Sequence, residues 1–233
     1  MKTIGMIGGM SWQSTAIYYR LVNEMTSDRL GALHSAKLVL WSVDFAEIEA
    51  WQAAGDWEAA TAAMVGAAQA VERGGAECVV ICTNTMHKMA DEVQAAVGIP
   101  LIHIADATGA AIVAAGVRRP LLLATRYTME QPFYKDRLAT RYALDVLVPN
   151  ETDREIVHDV IYGELCRGVV RAESREGYRD IVERAVDDGV DGVIFGCTEV
   201  GMLLRPEDIT VPAFDTTALH ASAAVDFALA ARP

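Results

Sequence analysis

Short apolar runs alternate along this chain with longer segments whose apolar residues recur every three or four positions. The runs are TIGMIGG (3–9), KLVLWSVDF (37–45), AECVVIC (76–82), IPLIHI (99–104), RPLLLAT (119–125), ALDVLVP (143–149), VDGVIFG (190–196) and VPAFD (211–215). Each has strand length and ends near Gly, Pro, Asp or Thr. Between them, SWQSTAIYYRLVNEMTSDRL (11–30), DWEAATAAMVGAAQAVERG (56–74), ADEVQAAVG (90–98), ATGAAIVAAG (107–116), EIVHDVIYGELCRG (155–168) and GYRDIVERAVDDG (177–189) carry helical spacing. The second of these stops at Gly74–Gly75, a usual helix terminus. Nearly continuous apolar strands separated by amphipathic helices predict an α/β fold, with parallel sheets covered by helices on both faces.

The pattern repeats. GAECVVICTNT aligns with GVDGVIFGCTE at a constant spacing of 114 residues, pairing Gly75 with Gly189, Val79 with Val193, Thr83 with Cys197 and Asn84 with Thr198. A weaker match at a spacing of 117 pairs TIGMIGG with PLLLATR and Arg20 with Arg137. Two matches in the same order predict two similar lobes, residues 1–115 plus 210–233 and residues 116–209. Ligands of such sheets bind beyond the carboxyl ends of the strands. With two lobes facing one cleft, Thr83 and Cys197 are expected to approach a ligand from opposite sides.

Composition narrows the partners. Twenty basic against 32 acidic residues give a net charge of −12, which disfavours nucleic acid and anionic membranes. No apolar stretch reaches membrane-spanning length. The first residues, MKTIGMIGGM, read as a strand and a glycine turn rather than a signal peptide. The four cysteines, Cys78, Cys82, Cys166 and Cys197, form no CxxC or CxxH pattern, so no metal site is expected. A long chain with so few cysteines fits the reducing cytoplasm.

The candidate chemistry sits in ICTNTMH (81–87) and FGCTEVG (195–201). Inverting an amino-acid α-carbon needs a base on one face and an acid on the other. A thiol near pKa 8.5 serves both roles. Cys197 ends its run after Gly196, and a helix starting within TEVGMLLR is expected to favour its thiolate. Asn84, Thr85 and Thr198 add donors for a substrate carboxylate. The scheme needs no cofactor. Cys78 and Cys82 read as structural, since most buried cysteines are inert small hydrophobes. GMIGGM reads as a tight turn without the full dinucleotide spacing. His87 reads as a packing residue ahead of a local electrostatic aid, and His34 and His103 have no usable spacing.

IGMIGGMSW (4–12), CTNTMH (82–87), HIADAT (103–108), LLATRYTM (122–129) and GCTEVG (196–201) together resemble the cofactor-independent aspartate/glutamate racemases along essentially the whole chain. The enterobacterial branch, specific for L-aspartate/glutamate or broad in specificity, is very similar. The resemblance implies two pseudo-symmetric Rossmann-like lobes, a cleft between them, a homodimer and an amino-acid substrate. It implies catalysis by Thr83 and Cys197, with substrate held by Met10, Gln52, Asn84, Thr85, Thr125, Tyr127, Thr128, Gly168 and Thr198. Relatives carry a cysteine in each lobe. Here the first position is Thr83, and Cys82 comes one residue early; side chains alternate along a strand, so Cys82 is expected to point away. Cys166 stands where some aspartate racemases use lysine, and FAEIEAWQAAGDW (45–57) lacks an arginine that such enzymes carry. A weaker grip on a second carboxylate leaves room for other polar amino acids, with Arg126 as another partner. Two rivals share the fold: a single-cysteine decarboxylase or cis–trans isomerase, and a non-catalytic amino-acid-binding protein. Both predict no solvent deuterium at the substrate α-carbon.

Overall fold

The computed structural model describes residues 1–31 and 33–231. In chain order the first elements are β1 (Ile4–Gly8), α1 (Trp12–Leu30), β2 (Leu38–Ser42), α2 (Phe45–Ala54), α3 (Trp57–Arg73), β3 (Cys78–Ile81), a 3₁₀ turn (Thr85–Met89) and α4 (Ala90–Ala95). Then follow α5 (Ile104–Ala114), β4 (Pro120–Leu123), α6 (Arg126–Glu130), α7 (Pro132–Tyr142), α8 (Glu151–Gly163), a 3₁₀ turn (Leu165–Arg167) and α9 (Ala172–Asp187). The last are β5 (Gly192–Phe195), α10 (Val200–Leu203), a 3₁₀ turn (Pro206–Asp208), β6 (Ala213–Asp215) and α11 (Thr216–Leu229). No helix among the described residues is long and apolar enough to cross a membrane.

The chain divides into two compact units, Met1–His103 with His220–Pro233, and Ile104–Leu219. The sequence boundaries at 115/116 and 209/210 leave α5 and β6 with the first unit. In the structure α5 packs on α7 and β6 pairs with β5, so both elements belong to the second.

Each unit holds a three-stranded parallel sheet, ordered β2-β1-β3 in the first and β4-β5-β6 in the second. The runs at 99–104 and 143–149 contribute one bridging residue each, Leu101 beside Val79 and Leu147 beside Leu121. Both runs are cut short. Pro100 and Pro149 lack a backbone donor, α5 begins at Ile104, and Ala143 turns the chain with φ 54°.

The repeat is visible in the ladders. Strands β3 and β5 keep the 114-residue spacing at both ends, Cys78 to Gly192 and Ile81 to Phe195. Each follows a left-handed glycine, Gly75 (φ 91°) and Gly189 (φ 89°). Pairing Ile4 with Cys78 and Pro120 with Gly192 makes Ile4 equivalent to Pro120, a spacing of 116. The sequence match at 117 was therefore one residue out of register, a slip that short uniform apolar strands do not reveal.

Alternation sorts the first unit's core. Ile7, Val79 and Ile81 pack with Ala60, Met64, Ala67, Ala68 and Val71 of α3. Ile4, Met6, Cys78, Val80 and Cys82 pack with Tyr18 and Val22 of α1 and with Ala221, Ala224, Val225 and Ala228 of α11. Fully burying a side chain of this kind stabilises by roughly 1.5–3 kcal/mol. That gain fixes the β3 register, because a one-residue slip would put Thr83 into the core in place of Cys82.

Candidate active site

In the first unit, β1 ends in a glycine pair because the chain turns there at close quarters. A Cβ on Gly8 would lie 2.3 Å from the Thr15 side chain, and Gly9 has φ 97°. The Gly9 N–H donates to Thr15 Oγ1 at 2.8 Å, and Ser11 caps α1 by accepting from the Ser14 N–H at 3.2 Å. This is the tight turn read from sequence. Met10 is buried in the core beside it.

Strand β3 delivers Thr83. The Cys82 N–H donates to Ile7 at 2.9 Å, the last rung of the ladder. Thr83 follows, partly buried, with its N–H donating back to Ile81 at 2.8 Å. Cys82 is a core residue, fully buried, and burial pushes its thiol far above the ordinary range. Cys78 is likewise buried, its thiol pushed up to about 11 by burial first. Ser14 Oγ donates to the Cys82 carbonyl at 3.3 Å. Asn84 and Thr85 are buried at the start of the 3₁₀ turn. Gln52, expected near the substrate, is also buried, and its Nε2 donates to Met86 Sδ at 3.1 Å.

In the second unit the matching rung is the Gly196 N–H donating to Leu123 at 2.8 Å. Cys197 is thus the counterpart of Thr83, and Gly196 of Cys82. The glycine is required by packing: a Cβ there would sit 2.6 Å from Leu122 Cδ1 and 2.9 Å from Ala124 Cβ. Cys197 is partly buried, and its thiol donates to Glu199 Oε2 at 2.9 Å. The thiol is not lowered by a helix, as the sequence reading expected. Helix α10 spans only Val200–Leu203. Burial, then the Glu199 charge and Cys166, hold the Cys197 thiol well above its usual value. Cys166, in the turn that ends at Gly168 (φ 74°), also hydrogen-bonds to Glu199 and is pushed up by burial first. Glu199 therefore receives two thiols.

Thr198 shares a hydrogen bond with Thr217 at 2.8 Å, joining the ends of β5 and β6. At the end of β4, Thr125 and Thr128 hydroxyls lie 3.3 Å apart. The Arg126 N–H donates to His158 Nδ1 at 3.2 Å, and the Tyr127 ring meets His158 edge-on at 5.9 Å. The His158 imidazole is shifted down by burial first and then by Arg126. Each unit thus gathers its own candidates at the carboxyl ends of its strands. The sequence reading gave no role to Glu199 or His158. For Glu199 a signal existed: an acidic residue two positions after a strand-end cysteine, where a turn folds it back onto the sulfur.

A cavity of about 360 Å³ in the second unit has none of these residues in its lining. It sits at Arg119, Asn150, Asp153 and Arg184, where Arg184 pairs with Asp153 at 2.8 Å. Among the described residues, no group of three His, Cys, Asp or Glu side chains is arranged to hold a metal ion.

The family model for Asp/Glu/hydantoin racemase matches residues 7–224. A candidate Asp/Glu racemase from Yersinia pestis is 52% identical, with a TM-score of 0.92 over 99% of this chain and 100% of that one. An aspartate racemase homologue from Pyrococcus horikoshii OT3 is 34% identical, with a TM-score of 0.85 over 98% and 99%. Arylmalonate decarboxylase shares the fold at 16% identity and a TM-score of 0.50, over 98% of this chain and 94% of that one.

Proposed function

The chain belongs to the Asp/Glu/hydantoin racemase family, whose racemases are isomerases, and from that premise we propose that it inverts the α-carbon of aspartate, glutamate or another polar amino acid without pyridoxal phosphate. The observation that carries the reading is the Cys197 thiol donating to Glu199 at 2.9 Å. A buried thiol with a raised pKa is a poor base until something accepts its proton. Glu199 is that acceptor. The thiol proton passes to the carboxylate, and the resulting thiolate takes the α-proton from the L-substrate. Thr83 then gives its hydroxyl proton to the opposite face of the carbanion, and solvent returns a proton to Thr83 while taking the one that Glu199 accepted. In the reverse direction the Thr83 oxygen is the base, which is the harder task. The ladder equivalence of the two residues supports this pairing.

Backbone N–H groups after each strand, with Asn84, Thr85 and Thr198, are the proposed partners of the α-carboxylate. Met10, Gln52, Thr125, Tyr127, Thr128 and Gly168 complete the proposed substrate contacts, and Arg126 is the cation for a second carboxylate. A homodimer has a surface available in the first unit, where Trp12, Tyr19 and Leu40 line an open groove of about 300 Å³. The four free thiols fit a reducing cytoplasm. The test is proton NMR in D₂O with L-glutamate and L-aspartate, paired with a chiral assay. Deuterium at the α-carbon together with the D-enantiomer supports the reading. Neither appearing across a panel of polar amino acids sinks it and favours the decarboxylase, isomerase or binding-protein rivals.

A further inference from the structure

The hydrogen-bonding groups around Thr83 are occupied in an ordered way. The Thr83 N–H is tied to Ile81 and the preceding carbonyl, that of Cys82, to Ser14. The Thr83 carbonyl is 2.8 Å from His87 Nδ1. A carbonyl only accepts, so Nδ1 carries the hydrogen and donates it. His87 is 2% exposed, and its ring is itself held. It lies 4.6 Å from the His103 ring and 5.5 Å from the His220 ring, centroid to centroid. His220 is fixed in turn: its Nε2 donates to the Ile102 carbonyl at 2.6 Å, which leaves Nδ1 to accept from the Tyr18 hydroxyl at 2.9 Å. Three imidazoles and a phenol, drawn from the 3₁₀ turn, the 99–104 run, α11 and α1, thus converge behind one peptide group.

We infer that His87 is a positioning residue for Thr83: its Nδ1–H clamps the Thr83 carbonyl and so fixes the direction of the Thr83 hydroxyl. Packing alone asks for a ring of the right size. It does not ask for a donor at Nδ1 aimed at the residue expected to deliver a proton to the carbanion. The inference rests on the racemase reading and deepens it. Without the clamp the hydroxyl swings away from the carbanion, while proton removal by Cys197 continues. The carbanion then returns to the L-configuration carrying solvent deuterium.

The readout is the ratio of α-deuterium exchange with retention to inversion, measured from the L-enantiomer in D₂O with the full chain. His87→Leu removes the donor. Misplacement of a reacting group by about 1 Å costs on the order of 100-fold, so the ratio is expected to rise at least tenfold in this variant. His87→Asn keeps an amide donor close to the Nδ1 position and is expected to hold the ratio within about threefold of wild type. His87→Gln carries its donor farther out, near Nε2, and behaves like His87→Leu. Equal fractional loss of exchange and inversion in His87→Leu overturns the inference, because a purely structural role lowers both together. If His87→Leu does not fold, the Asn and Gln variants decide, and equal ratios in those two overturn it. A wild-type protein that neither exchanges nor inverts overturns this inference and the racemase reading together.

Discussion

Thr83 and Cys197 occupy the same place in two copies of one sheet, yet their surroundings are organised in opposite ways. At Thr83 the protein holds the backbone, through Ile81, His87 and Ser14 beside it. At Cys197 it engages the side chain, through Glu199 and, next to that carboxylate, Cys166. A hydroxyl cannot usefully be ionised by a neighbour at neutral pH, so geometry is what its surroundings can supply. A thiol can be ionised, so an acceptor is what it needs. On the proposed mechanism, the two strand ends share a scaffold and each residue type has the support its chemistry requires.

Removing the thiol is the harshest way to break this comparison. Cys197→Ala is expected to lower racemisation by about 10³-fold or more and to abolish α-proton exchange in the chiral assay and by NMR. Activity close to wild type would show that the sulfur is not the base. Glu199→Gln is expected to lower kcat about 100-fold while making the thiol easier to ionise, because a raising charge is gone. Alkylation rates against pH would report the thiol, and a variant whose thiol ionises more readily while turnover stays at the wild-type rate contradicts the acceptor role.

Acid should strike the first unit through His220. Burial lowers its pKa to about 4 from 6.5, so between those values the unfolded chain binds more protons than the folded one. Stability is then full above about pH 6.5 and falls on acidification, by about 1.5 kcal/mol between pH 6.5 and pH 5. Urea titrations at the two pH values measure this, and His220→Gln, which retains a donor for Ile102, should flatten the slope. The mildest expected effect concerns Thr83→Cys, which should raise kcat for the D-enantiomer severalfold and bring the two directions closer. In the wild type the enantiomers have equal free energy, so their kcat/KM values must match, and a handicapped Thr83 shows as lower kcat with lower KM on the D side. Equal kcat values from both progress curves would remove the asymmetry.

Much of this was legible in the chain. The equivalence of Thr83 and Cys197 followed from the 114-residue spacing, which the ladders retain because a strand's period of two leaves no half-step. The inward direction of Cys82 followed from the same period. Glu199 stood in GCTE two positions after the strand-end cysteine, a spacing that hints at a returning turn, but the 2.9 Å approach of its carboxylate to the sulfur is set by the folded turn. His87 was read as packing because the partner of its Nδ1 is a carbonyl, and carbonyls are invisible in a sequence. His220 lies on the last helix, far along the chain from Tyr18 and Ile102, and such contacts leave no local trace. The expected helix N-terminus at Cys197 failed because Val200–Leu203 makes barely one turn before Leu204 becomes extended.

Helix α11 has a further consequence, concerning the order of assembly during synthesis. Ala221, Ala224, Val225 and Ala228 cover one side of β1 and β3, although more than a hundred residues of the other unit are translated first. The N-terminal portion therefore emerges early and is finished late, its apolar flank waiting for the tail of the same polypeptide. A nascent chain halted before residue 220 should bind a hydrophobic dye along that flank and be cut readily by protease, and release of the remaining residues should end both.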